Sequence, residues 1–267
     1  MSQTDAPPPD EPTTGDRDPY DRRVAIVALL ENEDTLLGRT WRYEQEGLDP
    51  QQMTDREGQS TTGWVYSYRK YLRVVLEEEI PEAPIVASRA GGKIRTWLKN
   101  PDLEPRLRED LGALEAVLRS RADDRHAFDD EVARAVQTGI AAEASGTPGV
   151  YVYTLPHYLK YPVDEESGRT LLKVGHSARD AYYRAGSQKR LTALPEEPIL
   201  LRIYPAKASS EAEAEFHGWL RDADHPNGRG RRSGSEWFVT STKFLDRIAR
   251  SLTLEVREIN SYSVGDE

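Results

Sequence analysis

Gly149-Val150-Tyr151-Val152-Tyr153-Thr154 and, beyond a polar loop holding Asp164, Glu165, Glu166 and Gly168, Arg169-Thr170-Leu171-Leu172-Lys173-Val174-Gly175-His176 are the runs that decide the fold. Both are dense in β-branched and aromatic residues and bounded by turn formers, the pattern of two strands in one antiparallel unit. Side chains alternate along a strand, so Tyr151 and Tyr153 share a face. Downstream come a helical stretch over 179–191, a third strand Ile199-Leu200-Leu201-Arg202-Ile203-Tyr204, and an acidic helix that Ser209 and Ser210 are expected to cap. Glu236-Trp237-Phe238-Val239 then precedes a last helix over 242–252. This order predicts an α+β chain whose residues 148–252 form a small α/β domain with a three-stranded, mainly antiparallel sheet flanked by helices. Residues 253–267 read as a tail.

Upstream, residues 20–125 read as an all-helical domain and 126–147 as a linker helix rich in Ala, Asp and Glu. Ser145-Gly146-Thr147-Pro148 marks the boundary. The first 19 residues, rich in Pro, Asp and Thr, have almost nothing to bury and read as a disordered tail. Leu29, Leu30, Leu36, Leu37 and Trp41 open the apolar set, and Asp49 caps a helix with Pro50 at its first position. After a turn at Gly58-Gln59-Ser60, Trp64, Val65, Tyr68, Tyr71, Leu72 and Val75 recur at helical spacing, with Arg69, Lys70 and Arg73 between them. The pair is similar to a helix-turn-helix, whose second helix sets its N-terminal side chains, here Gln59, Ser60, Thr61 and Thr62, against base edges. Ser60, Thr61 and Arg69 are the expected nucleic-acid contacts of this unit. Tri-helical packing without DNA explains the same periodicity, and the helices also offer a surface to a protein partner or a second copy. Two further helices, over 83–98 and 104–119, are set off by Pro81, Pro84, Pro101 and Pro105; Leu107, Leu111, Leu114 and Leu118 form a one-sided stripe read as core.

Composition narrows the chemistry. With 37% apolar and 31% charged residues the 267-residue chain can build ordinary cores, and its length suits two domains. It has no cysteine, which removes disulfides, thiolate zinc sites and cysteine nucleophiles, so a bound metal relies on carboxylate, imidazole or water. A net charge of −10 argues, as an average, against a polyanionic partner. The charge is unevenly spread: residues 1–147 hold 19 Lys and Arg against 29 Asp and Glu, whereas residues 148–250 hold 16 against 13. The positive balance therefore falls with the strands. No apolar run approaches the roughly 20 residues that span a bilayer, and no basic-then-apolar leader opens the chain. A soluble, cytoplasmic protein without membrane contact is expected.

Residues 149–250 resemble the GIY-YIG nuclease superfamily, in the branch whose second motif begins with Lys and which carries Glu-Trp-Phe near its end. Gly149-Val150-Tyr151 matches the first motif and Lys173-Val174-Gly175 the second. Arg184 in the next helix, Glu213 with His217 four residues later, and Gly234-Ser235-Glu236-Trp237-Phe238 complete five elements in order. The resemblance implies a GIY-YIG-type domain that hydrolyses nucleic acid, DNA first, with a single Mg²⁺ or Mn²⁺ and no covalent intermediate.

Phosphodiester hydrolysis takes a nucleophilic water, a base, cations against the charge developing on the phosphoryl oxygens, and a group that steadies the leaving oxygen. By the resemblance Glu213 is the metal ligand, one carboxylate that leaves the rest of the shell to water and phosphate. On its helix the apolar stripe Ala212, Phe216, Trp219, Leu220 and Ala223 has Glu213 on one flank and Glu215 on the other; only the family spacing to His217 selects Glu213. Tyr151 inherits the tyrosine that orients or deprotonates the attacking water. Lys173 replaces a second tyrosine and is either base or phosphate clamp, so the base stays open between the two. Arg184 is the expected scissile-phosphate contact, with Arg190 its rival. His176 reads as proton shuttle or phosphate contact, and Tyr153, His217 and Glu236 as supports around the site. Asn227-Gly228-Arg229-Gly230-Arg231-Arg232 is a basic loop suited to a nucleic-acid backbone. The expected function is a Mg²⁺-dependent endonuclease; the alternative is an inactive DNA-binding or regulatory protein that uses the same domain as a platform.

Overall fold

Local chemistry sets the helix ends of the first half. Asp21 caps α1 (Arg22–Asn32), Thr35 caps α2 (Leu36–Gln45), and Asp49 and Gln52 form a reciprocal capping box on α3 (Pro50–Arg56). Prolines open α5 (Pro84–Leu98) and α6 (Pro105–Ala122), where a missing N–H costs nothing, and Asp124 caps α7 (Arg125–Glu143). Between them, α4 (Gly63–Glu77) buries Trp64, Val65, Tyr68, Leu72 and Val75 against Ile26, Leu30, Leu37 and Met53. The leucine stripe of α6 closes this core, as its periodicity indicates. Each such leucine contributes roughly 1.5–3 kcal/mol of burial. The computed structural model describes residues 20–177, 196–225, 236–262, 264 and 265.

The second half runs β1 (Gly149–Thr154), a short α8 (Pro156–Lys160), β2 (Thr170–Ser177), β3 (Ile199–Pro205), α9 (Ser209–Asp222), β4 (Trp237–Thr240), α10 (Thr242–Ser251) and β5 (Arg257–Glu258). The strands form one antiparallel sheet in the order β4-β2-β1-β3-β5. The chain is therefore α+β, with a helical N-terminal region and five strands where three were expected. Both additions are edges, of four and two residues, too short to show a period-two pattern. β5 comes from the stretch read as a tail. The loop after β1 also differs from expectation, because Pro156 opens α8 and Leu159 is buried.

The sheet has two unlike faces. Val150, Val152, Leu172, Val174 and Phe238 pack on Phe216 and Leu220 of α9 and on Leu245 and Ile248 of α10. The opposite face carries a smaller core of Tyr151, Tyr153, Leu200 and Ile203, with Trp237, Ile259 and Ala142 of α7 against it. Two expectations for α9 fail here. Trp219 is 42% exposed instead of buried, and Ser209 and Ser210 lie inside the first turn, with no side-chain cap bond at Ala208.

The halves are stitched together. α7, read as a linker, packs Ala135 into the sheet core, and the chain after Leu252 returns to bridge both parts. The Asn260 side-chain amide donates to the Ala135 and Leu200 carbonyls, the Tyr262 hydroxyl donates to Glu131, and Ser67 of α4 donates to the Ser261 carbonyl. Arg202, 4% exposed, lies 3.3 Å from Asp246 and 3.2 Å from Glu258, and the Tyr204 hydroxyl donates to Asp246 at 2.7 Å. Among the described residues no helix is long and apolar enough to cross a membrane.

Candidate functional site

β1 and β2 pair so that Tyr151 stands opposite Gly175 and Tyr153 opposite Lys173, and directly opposed residues share a face. The two tyrosine rings stack with centroids 5.6 Å apart, and Trp237, opposite Lys173 on β4, meets Tyr153 edge-on at 5.7 Å. The Lys173 ammonium lies 5.3 Å from the Tyr153 ring centroid and 2.9 Å from Glu236 Oε2. Gly175 is required by the ring across from it: a Cβ there would sit 2.4 Å from Tyr151 Oη and 2.6 Å from Cζ. Burial first, then the neighbouring Tyr151, Glu236 and Glu143, push the Tyr153 phenol far above its ordinary value. Tyr153 therefore stays protonated and serves as a wall.

His176 follows Gly175 and points to the other face, toward α9. Its Nε2 is 3.4 Å from Glu213 Oε2 and its Nδ1 3.3 Å from Ser209 Oγ. The residue read as a helix cap is thus a partner of His176, a role that local sequence cannot reveal. The Glu213 side chain is 15% exposed, whereas Glu215 lies on the solvent side of α9; of the two carboxylates, Glu213 is the one held against the sheet. His217 donates through Nε2 to the Val174 carbonyl at 2.9 Å and packs on the Phe238 ring, which fastens α9 to β2.

Two groups of the expected site residues therefore adjoin at Gly175-His176. Tyr151, Tyr153, Lys173 and Glu236 belong to one face of β2, and His176, Glu213 and Ser209 to the other. The roles that the resemblance implies need Glu213, Tyr151 and Lys173 around one phosphate, whereas the described residues put Glu213 on the opposite face of β2 from Tyr151 and Lys173. Arg184, Arg190, Asn227, Arg229, Arg231, Arg232, Gly234 and Ser235 lie outside the described residues.

The helix-turn-helix contacts stand elsewhere. Gln59, Ser60 and Thr61 precede α4, with Thr62 as its N-cap, so they do not form its first turn; Ser60 and Thr61 are half-buried. Arg69 pairs with Glu44 at 2.6 Å. The preceding turn is docked on α10, where Lys243 lies 3.6 Å from Glu57 and Arg250 donates to the Gly58 carbonyl. A Cβ at Gly63 would meet the Glu258 carboxylate.

Among the described residues no three His, Asp or Glu side chains gather into a metal cluster. Glu213, with an imidazole and a hydroxyl nearby, is a donor set for a hard cation that takes one protein carboxylate and completes its shell with water and phosphate. It does not suit an all-protein cage. Comparison with protein-family models, with curated proteins and with solved structures finds no match to this chain.

Proposed function

We propose that residues 148–252 form a nuclease domain of the GIY-YIG kind that hydrolyses nucleic-acid phosphodiesters, DNA first, as an endonuclease. The reading rests on the order of the five motif elements along residues 149–238, since the two-sided arrangement on β2 does not itself bring Glu213 together with Tyr151 and Lys173. One strand carries Lys173, the Gly175 that accommodates Tyr151, and the His176 that holds Glu213. Glu213 is the residue to hold a single Mg²⁺ or Mn²⁺. When bound, such a cation supplies Lewis-acid stabilisation of the phosphoryl oxygens and lowers the pKa of a bound water. Lys173, held by Glu236, is proposed as phosphate clamp or base, with Tyr151 the other candidate for the base. His176, touching Glu213 and Ser209, is placed to pass a proton toward a leaving oxygen. The helical half is proposed as the support of this domain, because the turn before α4 is docked on α10.

Three observations favour the alternative of a binding platform without catalysis: Glu213 lies across β2 from Tyr151 and Lys173, Tyr151 is 1% exposed, and Lys173 is already paired with Glu236. Glu213→Ala separates the two. An enzyme loses Mg²⁺-dependent cleavage of labelled DNA by about 100-fold or more while its affinity for DNA holds. A platform gives no cleavage before or after the change, and that result overturns the nuclease reading.

A further inference from the structure

A cleft of about 300 Å³ opens between α4, α5, α7 and the returning C-terminal segment, lined by no residue of the nuclease motifs. Lys70 of α4, Arg89 of α5 and Arg134 of α7 line it, three cations from three elements. Arg89 is anchored by donation from Nε to the Leu159 carbonyl. The only acidic side chain in the lining is Glu131, 4% exposed, and both its oxygens are engaged, one by the Ile85 N–H at 2.8 Å and one by the Tyr262 hydroxyl at 3.0 Å. Burial raises the Glu131 carboxyl above its ordinary value although the Ile85 and Tyr262 hydrogen bonds, Arg134 and Lys70 act to lower it. Of the aromatic and apolar lining, Tyr262 and Val86 are half-buried and face the cleft, with the buried Tyr71 and Ile85 behind them.

We propose that this cleft binds a small phosphate monoester of mononucleotide size. Three cations against one engaged carboxylate match a dianion better than a single carboxylate ligand, and guanidinium groups hold phosphoryl oxygens in pairs. The volume lies at the small end of ligand sites, too large for phosphate alone and sufficient for one ring system beside it. The partly exposed Tyr262 and Val86 give that ring somewhere to rest. Because the walls come from both halves of the chain, an occupant ties α4 and α5 to the strap carrying Asn260 and Tyr262. The site is independent of the nuclease reading.

The test is binding to the full chain, followed by calorimetry and thermal unfolding, with AMP, inorganic phosphate and adenosine as probes. AMP is expected to raise Tm by roughly 3 °C or more at ten times its Kd, with phosphate weaker and adenosine without effect. Lys70→Glu and Arg134→Glu change exposed side chains, so the fold survives. Each is expected to weaken AMP by about tenfold or more, whereas Glu213→Ala leaves it unchanged. Three results overturn the proposal: no response to AMP at millimolar concentration, equal responses to AMP and adenosine, or a response lost in Glu213→Ala and kept in both cleft variants.

Discussion

Gly175 and Gly63 face similar crowding with different consequences. At Gly175 an added methyl meets the Tyr151 ring, which is 1% exposed and stacked on Tyr153, so nothing nearby can give way. Gly175→Ala is expected to destabilise the chain by about 1–3 kcal/mol and to displace Tyr151. Urea unfolding measures the first effect, and an unchanged midpoint would refute the packing described. At Gly63 the obstacle is the Glu258 carboxylate, which is paired with the buried Arg202, so Gly63→Ala should lower the midpoint in the same titration by displacing that pair while leaving Tyr151 in place. Motif order singles out Tyr151, Lys173 and Glu213 as candidates. It could not show why residue 175 is glycine, because that follows from the pairing of Tyr151 with Gly175 across two strands. Nor could periodicity choose Glu213 over Glu215; contact with His176 makes the distinction.

At the scale of elements, Glu57 joins three of them. It lies just beyond α3, accepts from Arg39 and Tyr43 of α2, and sits 3.6 Å from Lys243 of α10. Burial alone would raise its carboxyl, but hydrogen bonds from Arg39 and Tyr43 and the charges of Arg39 and Lys243 outweigh it and hold the group below 4.5. A depressed folded value means stability that is complete above the unfolded value and lost as pH falls through the folded one. Glu57→Gln should therefore reduce stability near neutral pH and flatten its decline below about pH 4.5. An acid limb with wild-type slope in the variant would contradict this. The helices were largely legible because their caps, prolines and apolar spacing are local, as at Asp49 with Gln52 and along Leu107 to Leu118. The edge strands were not, because four and two residues acquire strand character only by pairing with β2 and β3.

Across the whole molecule, the strap after Leu252 makes the helical and sheet halves one cooperative body. Removing residues 253–267 would strip Glu258 from the buried Arg202, Asn260 from two carbonyls and Tyr262 from Glu131. Arg202 keeps Asp246 but loses one of its two carboxylates, and the Ala135 and Leu200 carbonyls and Glu131 lose donors, so the truncated chain should unfold well below the full one. Calorimetry of the full chain should show a single transition; two separated transitions would mean that the halves are thermally independent. The sequence hid this strap, since its short polar stretch reads as a tail until Asn260 and Tyr262 find partners more than a hundred residues away.

Nucleic-acid cleavage by the domain that carries Lys173, Gly175, His176 and Glu213 is a proposal. Its most direct test is purified full-length protein incubated with end-labelled single-stranded, duplex and branched DNA and with RNA, in Mg²⁺ and in chelator. Discrete products that require Mg²⁺ and leave no protein-linked strand are expected from at least one DNA substrate. Intact substrates throughout, or cleavage that persists in chelator, would contradict it.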